Sequence, residues 1–277
     1  MHPLLNIAVR AARSAGDVIV RHLDRLDAVK VEDKGARDVV SEVDRQAEAR
    51  IIGVIRTAYP AHAILAEESG HHSGSEFEWV VDPLDGTRNY LRGLPHFAVS
   101  IAVRRRGRVE QGVVFDPVRQ EMFAASRGSG ASLDNRRIRV ATGNGLRDAM
   151  IATGVPVQRL ADLDGQSAES HALCREGAIL RRSGSAALDL AYVAAGRLDG
   201  FWEWGLRPWD IAAGILLVRE AGGIVAGRRG ADDALDTGDV VAANPKVLRA
   251  MLAQLHRVGR TGPRISPGPA PADRSAG

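Results

Sequence analysis

Apolar residues recur at helical spacing near the start of the chain. Intervals of three and four residues place such side chains on one side of a helix. One face comprises Leu4, Leu5, Ala8, Ala11, Ala12, Ala15, Val18 and Ile19, and another comprises Val43, Ala47, Ile51, Val54 and Ile55. The pattern predicts two helices, each with one apolar face.

Shorter apolar runs follow, and their lengths favour strands. Residues 63–66 and 79–82 predict two strands, and residues 97–140 predict a series of hairpins separated by glycine and proline. The second half alternates. It predicts a helix at 160–174, a strand at 178–182, helices from Ala186 and Trp209, a strand at 223–226 and a last helix from Pro245. This order predicts the α/β class, with layered sheets and helices.

The length of 277 residues and a hydrophobic content of 45% allow one large core. We predict a single domain over residues 1–257, with sub-layers of about 1–145 and 146–257. No internal repeat is visible. Residues 258–277 are mostly Gly, Pro, Ser and Arg, which predicts a disordered tail.

Charge argues against a general affinity for nucleic acid, because 37 basic residues nearly balance 34 acidic ones and the net charge is +3. Direct nucleic-acid binding is therefore expected to be weak or absent. The densest basic run, residues 104–108, is predicted to be a solvated hairpin tip. Contact with a polyanion or a protein is the open alternative.

No run approaches the roughly 20 apolar residues of a membrane helix, and the N-terminus lacks a signal-peptide pattern. We expect a cytoplasmic protein with no membrane partner. Cys174 is the only cysteine, which excludes an intrachain disulfide and argues against a cysteine-based zinc site. Its thiol is predicted to be buried.

The segment 79–90 is the richest in candidate chemistry. An apolar run leads to Asp82 and Asp85, three residues apart, and then to a Gly86-Thr87 turn. Pro83 is predicted to end the strand pairing, and the turn is predicted to open a helix with outward N–H groups. Two carboxylates and free N–H groups suit Mg²⁺ and a phosphate. An ordinary surface turn is the alternative.

The motif Asp82-Pro-Leu-Asp-Gly-Thr87 resembles the metal motif of the inositol monophosphatase family, Mg²⁺-dependent and lithium-sensitive phosphatases. Residues 38–44, 66–69, 184–189 and 209–214 resemble further family segments, and the similarity spans about 2–255. Residues 1–13 and 185–197 resemble a bacterial branch of inositol-1-monophosphatases. The resemblance implies an αβαβα sandwich of the sugar phosphatase type.

The resemblance also implies the metal ligands. Glu67, Asp82 and the carbonyl of Leu84 would hold a first Mg²⁺, and Asp82, Asp85 and Asp210 a second, with a weaker third ion near Glu67. An all-oxygen set suits Mg²⁺ rather than zinc. On the residues alone, Glu67 could be a solvated strand end, and Asp210 could be an acidic residue in a first helical turn.

The implied catalytic residues are Asp44, Thr87 and Glu67, with Asp44 and Thr87 orienting a nucleophilic water so that no covalent phosphoenzyme is needed. Asp44 and Ser41 also have capping-box spacing, and we keep both roles. Phosphate would lie on the N–H groups of Gly86 and Thr87. The implied substrate contacts are Asp85, Gly86, Thr87, Gly184, Ser185, Ala186, Glu203 and Asp210.

Two positions depart from the family motif. Arg88 stands where threonine is usual, and Tyr90 where phenylalanine is usual. Arg88 could tighten anion binding or pair with an acidic neighbour. Glu203 lies between two tryptophans, and its alternative reading is a polar strand residue beside an aromatic cluster.

The resemblance implies hydrolysis of inositol-1-phosphate. The competing substrates are those of fructose-1,6-bisphosphatases, histidinol phosphatases and 3′-phosphoadenosine 5′-phosphate phosphatases. The bacterial branch also includes transcription antitermination (Nus) factors, which implies NusA and RNA polymerase as candidate partners. A mainly non-catalytic role in that complex is the remaining alternative. A homodimer is a further candidate assembly.

Overall fold

The computed structural model describes residues 2–35, 38–154 and 163–261. The helices described are α1 (Pro3–Leu23), α2 (Glu42–Ala58), α3 (Thr87–Leu91), α4 (Leu163–Arg175), α5 (Ala186–Ala194), α6 (Pro208–Glu220), α7 (Ala234–Thr237) and α8 (Pro245–Thr261). The strands described are β1 (Val31–Gly35), β2 (Asp38–Ser41), β3 (Ala63–Ala66), β4 (Gly70–His72), β5 (Phe77–Asp85), β6 (Ala98–Arg105), β7 (Arg108–Asp116), β8 (Glu121–Ser126), β9 (Gly130–Leu133), β10 (Arg136–Arg137), β11 (Met150–Thr153), β12 (Ile179–Arg181), β13 (Gly200–Glu203), β14 (Ile224–Ala226) and β15 (Val240–Ala243).

The larger sheet has the strand order β10-β9-β8-β7-β6-β5-β3-β4. Its neighbours pair antiparallel except β3 and β5, which run parallel. The apolar faces of α1 and α2 cover one side of it, and Ile19, Ile51 and Trp79 are fully buried there. The two helices predicted from periodicity are thus confirmed.

The smaller sheet has the order β12-β11-β13-β15-β14, with parallel pairing among β12, β11 and β13. Helices α5 and α6 lie between the two sheets, and α4 and α8 cover the outer face. The resulting layers are α1/α2, large sheet, α5/α6, small sheet and α4/α8. This confirms the layered α/β class and the αβαβα order.

Several local predictions needed correction. Cys174 is exposed, because α4 directs Glu169 and Leu173 inward instead. Pro83 interrupts the pairing of β5 with β6 but does not end it, since Asp85 pairs again with Ala98 after a bulge. Helix α8 continues to Thr261, so residues 258–261 are helical, and the rest of the predicted tail lies outside the described residues.

Among the helices that the structure describes, none combines the length and apolar character needed to cross a bilayer.

Helices α5 and α6 pack closely against each other in the layer between the two sheets. Gly214 permits this packing, because a Cβ at that position would stand 2.6 Å from Leu190 Cβ. Gly53, on the outer side of α2, has no atom within 4 Å of such a Cβ. The two helical glycines therefore differ only in their surroundings.

We expect Gly214→Ala to lower the free energy of unfolding by at least about 1 kcal/mol, because overpacking outweighs the gain in helix propensity. The matched change Gly53→Ala is expected to raise it by about 0.5–1 kcal/mol. Urea denaturation of both variants measures the difference. Equal stabilisation by both changes would show that the α5/α6 contact tolerates a methyl group.

Candidate active site

The bulge at the end of β5 forms the centre of the site. Asp82 Oδ1 accepts a hydrogen bond of 2.9 Å from the N–H of Leu84. Gly86 then turns the chain into α3 with a φ of 95°, and a Cβ there would meet the carbonyls of His96 and Gly184 at 3.0 and 3.3 Å. A side chain would be strained and crowded at this turn, so glycine is required.

Carboxylates arrive at this centre from separate elements. Glu67 follows β3, and its N–H donates to the carbonyl of Val81 on β5 at 3.1 Å. Asp210 lies in the first turn of α6, where its Oδ2 accepts from the N–H of Arg207 at 2.7 Å. Asp82 is 1% exposed. The fold therefore brings Glu67, Asp82, Asp85 and Asp210 into one neighbourhood.

Burial raises the pKa values of the three aspartates in this group, and neighbouring carboxylates raise those of Asp82 and Asp210 further. Burial raises the pKa of Asp82 well above its usual range, and the charges of Glu67, Asp85 and Asp210 raise it further. Burial likewise raises the pKa of Asp210, with Asp85 the largest charge contribution. The pKa of Asp85 is raised to about 6 by burial, and hydrogen bonds from Ser185 and Ala187 limit the shift.

The donor chemistry of this group fits Mg²⁺, since every candidate ligand atom is a carboxylate or carbonyl oxygen. Within the described ranges, no three Asp, Glu, His or Cys side chains are arranged so that they could hold a metal ion together as they stand. Neighbours hold individual oxygens instead: Leu84 N–H holds Asp82, and Arg207 N–H holds Asp210.

Asp44 and Thr87 meet at the edge of this group. Asp44 is the third residue of α2, and its Oδ2 accepts from Ser41 N–H and Oγ at 2.9 and 2.5 Å, which completes the predicted capping box. The Thr87 hydroxyl donates to Asp44 Oδ1 at 2.9 Å. Burial raises the pKa of Asp44, and the hydrogen bonds from Ser41 and Thr87 oppose that rise. The cap and the link to Thr87 use different oxygens.

The wall facing this turn comes from the second half of the chain. Gly184, Ser185 and Ala186 form the entry to α5, and Ser185 caps that helix. Asp85 Oδ2 accepts from Ser185 Oγ at 2.6 Å and from Ala187 N–H at 2.8 Å. The candidate metal and substrate residues are thus joined by direct hydrogen bonds.

Glu203 stands at the end of β13 beside this wall. Burial raises its pKa to about 8, the charges of Asp189 and Asp85 contribute, and Arg182 opposes the rise. The carboxylate of Glu203 occupies the space where a Cβ of Gly154 would be. The adjacent tryptophans have another role, because Trp202 and Trp204 both donate their indole N–H to the buried Glu169.

Sequence reasoning missed residues that complete the wall. Gly154, Asp189 and Arg182 surround Glu203, and Asn89 contacts the Gly184 segment. Two of these had a visible signal: Gly154 directly follows a short apolar run, and Asp189 is a charged residue in the apolar α5. Neither signal identifies Glu203 as the neighbour, since that contact is set by the register of β11 on β13.

The basic run at 104–108 lies at the β6/β7 hairpin tip, as predicted. Its charges are largely compensated within the chain. Arg104 pairs with Glu78, and Arg105 and Arg106 both pair with Glu76. These arginines therefore present less positive charge to a partner than the sequence indicates.

Comparison with known proteins agrees with this geometry. The model of the inositol monophosphatase family matches residues 1–259. The chain belongs to the inositol monophosphatase family. It is 54% identical over 257 residues to the Nus factor SuhB of Escherichia coli K12, which covers 92% of this chain and 96% of that protein. The bacterial branch predicted from residues 1–13 and 185–197 is therefore that of SuhB.

Solved structures show the same relationship. The extragenic suppressor protein suhB from Bartonella henselae is 43% identical, with a TM-score of 0.89 over 92% of this chain and 98% of that chain. An inositol monophosphatase from Anabaena is 38% identical, with a TM-score of 0.82 over 92% and 95% of the two chains. Family membership and fold are thus shown independently of the site geometry.

The raised pKa of Glu203 predicts a specific pH dependence of stability. The pKa of Glu203 is about 8 in the folded protein, against an ordinary value of 4.5. Below about pH 4.5 the side chain is protonated in both states, and its contribution to the free energy of unfolding is fully present. That contribution is lost as the pH rises from 4.5 through 8. We expect Glu203→Gln to melt at least about 4 °C above wild type at pH 9 in EDTA, and close to wild type at pH 4.5. A difference in melting temperature that does not change with pH would contradict this assignment.

Proposed function

We propose that the protein is a Mg²⁺-dependent phosphomonoesterase that hydrolyses inositol-1-phosphate with a metal-activated water. The observation that carries the proposal is the convergence of four acidic side chains beside the Gly86 turn, with the Asp44 and Thr87 pair at its edge. Family membership supports it, and so does the likeness to a structure named inositol monophosphatase. Phosphate ester hydrolysis needs such charge neutralisation because it is very slow in water.

In this proposal Glu67, Asp82 and the Leu84 carbonyl hold one Mg²⁺, and Asp82, Asp85 and Asp210 hold another. A third, weaker ion binds near Glu67. Bound ions would stabilise the charge on the phosphoryl oxygens and lower the pKa of the attacking water. Lithium inhibition is expected, because Li⁺ would compete for the position that Asp82, Asp85 and Asp210 would offer to the second ion. The acidic neighbourhood supports this assignment, since a nearby cation would stabilise each of these carboxylates.

The chain's own groups position the water and the phosphate. Thr87 orients the attacking water through its hydroxyl, whose oxygen lies 2.9 Å from Asp44 Oδ1 and 3.1 Å from the Leu84 carbonyl oxygen. Asp44 is held in that orientation by the N–H of Ser41. Glu67, the third catalytic residue, would act by holding the first ion. The backbone N–H groups of Gly86 and Thr87 would receive phosphate oxygens. Because water is the nucleophile in this proposal, no covalent phosphoenzyme is needed.

The sugar-alcohol part of the substrate would lie against the wall of Gly184, Ser185, Ala186 and Glu203. Glu203 offers a hydrogen-bonding carboxyl group whose protonation state depends on pH, since its pKa is about 8. Asp85 and Asp210 contribute from the metal side. Ring hydroxyls of inositol match such a polar wall better than an apolar alcohol does.

The shared metal site does not by itself select among small phosphate esters. A panel of inositol-1-phosphate, fructose-1,6-bisphosphate, histidinol phosphate and 3′-phosphoadenosine 5′-phosphate, each assayed over a range of Mg²⁺ concentrations, tests the substrate. The proposal expects the highest kcat/KM for inositol-1-phosphate. A higher kcat/KM for another ester of the panel would change the proposed substrate but not the proposed reaction.

We expect Asp85→Asn to abolish Mg²⁺-dependent hydrolysis, because one ligand charge is lost while the hydrogen bonds to Ser185 and Ala187 can persist. In EDTA its melting temperature is expected to equal or exceed that of wild type, since repulsion in the site falls. Asp148→Asn is the matched control, because that side chain is 87% exposed and far from the carboxylate group. Turnover near the wild-type rate in Asp85→Asn would refute the two-metal assignment.

A second function is favoured by a specific finding. Relatives that are 54% identical over 257 residues carry the name Nus factor SuhB. We propose that this chain also binds NusA or RNA polymerase, through surface residues outside the carboxylate group. Arg105 and Arg106 are weaker candidates than their sequence suggested, because Glu76 pairs with both. Arg181, on the edge strand β12, is a better one, since its described contacts are to Leu180 and Met150.

We expect Asp85→Asn to bind purified NusA as tightly as wild type does, because docking uses the outer surface. Arg181→Glu is expected to weaken that binding and leave hydrolysis unchanged. Calorimetry at two salt concentrations measures both, and weaker binding at high salt would mark an electrostatic contact. No complex between wild type and NusA at micromolar concentrations would leave only the enzyme.

A further inference from the structure

The wall that would receive the sugar alcohol is held at two points by the metal-motif segment. Asp85 binds the start of α5, because its Oδ2 accepts from Ser185 Oγ at 2.6 Å and from Ala187 N–H at 2.8 Å. Asn89, four residues after Asp85, binds the residue before Gly184, because its Nδ2 donates to the Ser183 carbonyl at 2.8 Å. Gly184 lies between these two contacts.

The Asn89 amide also reaches a third part of the chain. Nδ2 donates to the His96 carbonyl at 2.7 Å. That carbonyl lies against Gly86, since a Cβ there would stand 3.0 Å from it. One nitrogen with two hydrogens therefore joins α3, the backing of the Gly86 turn and the Gly184 wall.

Few side chains could replace this amide. Its two hydrogens serve the carbonyls of His96 and Ser183, and the Gly184 carbonyl is a further acceptor at 3.4 Å. A carboxylate of the same shape would repel these carbonyl oxygens. The space is also limited: Gly184 has a φ of 85°, and a Cβ at that position would stand 3.1 Å from Asn89 Nδ2. The wall is thus placed by a short, specific contact rather than by apolar packing.

We propose that Asn89 is a positioning residue that fixes the Gly184 wall relative to the Gly86 and Thr87 turn, and so couples recognition of the alcohol to binding of the phosphate. The inference rests on the proposed phosphatase function for its substrate. The side chain of Asn89 makes these contacts with backbone carbonyls and lies outside the assigned ligand set. Its removal is therefore expected to disturb the alcohol side of the site more than the phosphate side.

The kinetic test compares inositol-1-phosphate with p-nitrophenyl phosphate, which lacks the polyol. In Asn89→Ala we expect the KM for inositol-1-phosphate to rise about tenfold, the effect of roughly one lost hydrogen bond, with kcat within about threefold of wild type. The kcat/KM for p-nitrophenyl phosphate is expected to stay within about threefold. Equal losses on both substrates would overturn the proposal.

Asn244→Ala is the matched control. Asn244 Nδ2 also donates to two backbone carbonyls, those of Ala141 and Gly143, at 2.9 and 3.1 Å. Its loss costs these two bonds and also the two that Asn244 Oδ1 accepts from the N–H groups of Lys246 and Val247 at the start of α8. All four lie away from the carboxylate group, so the KM for inositol-1-phosphate is expected to remain at the wild-type value. The same rise in KM in Asn244→Ala would show a general effect of stability and overturn the positioning role.

Amide hydrogen exchange gives a readout that needs no activity. In Asn89→Ala we expect exchange at Ala187 and Leu188 to be at least about tenfold faster than in wild type and in Asn244→Ala, because the wall opens locally. Should the alanine variant fail to fold, Asn89→Ser is used, since a water can then reach the two carbonyls.

The two readouts separate the failure of this inference from failure of the enzyme. Unchanged amide exchange at Ala187 and Leu188 in Asn89→Ala or Asn89→Ser would overturn the positioning role of Asn89, whatever the kinetics. If exchange is faster in the variant but the wild-type protein hydrolyses neither ester, the positioning role is supported and the proposed phosphatase activity is refuted.

Discussion

Repulsion among buried acidic side chains is the constraint on which this structure depends. Asp82, Asp85 and Asp210 come from β5, its bulge and the first turn of α6, and Glu67 follows β3. Each of the three aspartates has a pKa raised first by burial, and neighbouring carboxylates add to the rise for Asp82 and Asp210. Such an arrangement opposes folding in the absence of cations, so other contacts must hold it.

Those contacts explain much of the architecture. The bulge places Leu84 N–H on Asp82, the first turn of α6 places Arg207 N–H on Asp210, and the cap of α5 rests on Asp85. Ser100 Oγ also donates to the Trp209 carbonyl at 3.0 Å, which ties α6 to the large sheet. The layer of α5 and α6 between the sheets therefore serves both core packing and the placement of charge.

The parts of the fold that sequence predicted are those with long, regular patterns. The apolar faces of α1 and α2 repeat over several turns, and β6 to β8 are long runs marked by turn residues. β1, β2, β4, β11 and β15 were missed, since strands of three to five residues are too short for a period to stand out. β3, β12 and β14 are as short and were predicted from runs of apolar residues alone.

Sequence likewise identified some residues of the candidate site and missed others. The motif at residues 82–87 and the Ser41 and Asp44 capping box are local in sequence, and the structure confirms the capping box. The metal role of the motif stays a prediction. Glu203 and Asp210 were assigned only through the family resemblance, since their proximity to Asp85 arises from the packing of the two sheets. Asn89, Gly154 and Arg182 were missed because their partners are distant in the chain, and the exposure of Cys174 depends on which face of α4 meets the sheet.

Calorimetric titration with Mg²⁺ at pH 7, in two buffers of different ionisation enthalpy, tests the central claim most directly. Burial and neighbouring charges raise the pKa of the proposed ligands Asp82 and Asp210, so binding of Mg²⁺ to their carboxylates is coupled to loss of protons. The account predicts binding of at least two ions per chain with release of protons, so the heat differs between buffers. Binding heats that are identical in both buffers, or no Mg²⁺ binding at millimolar concentrations, would contradict it.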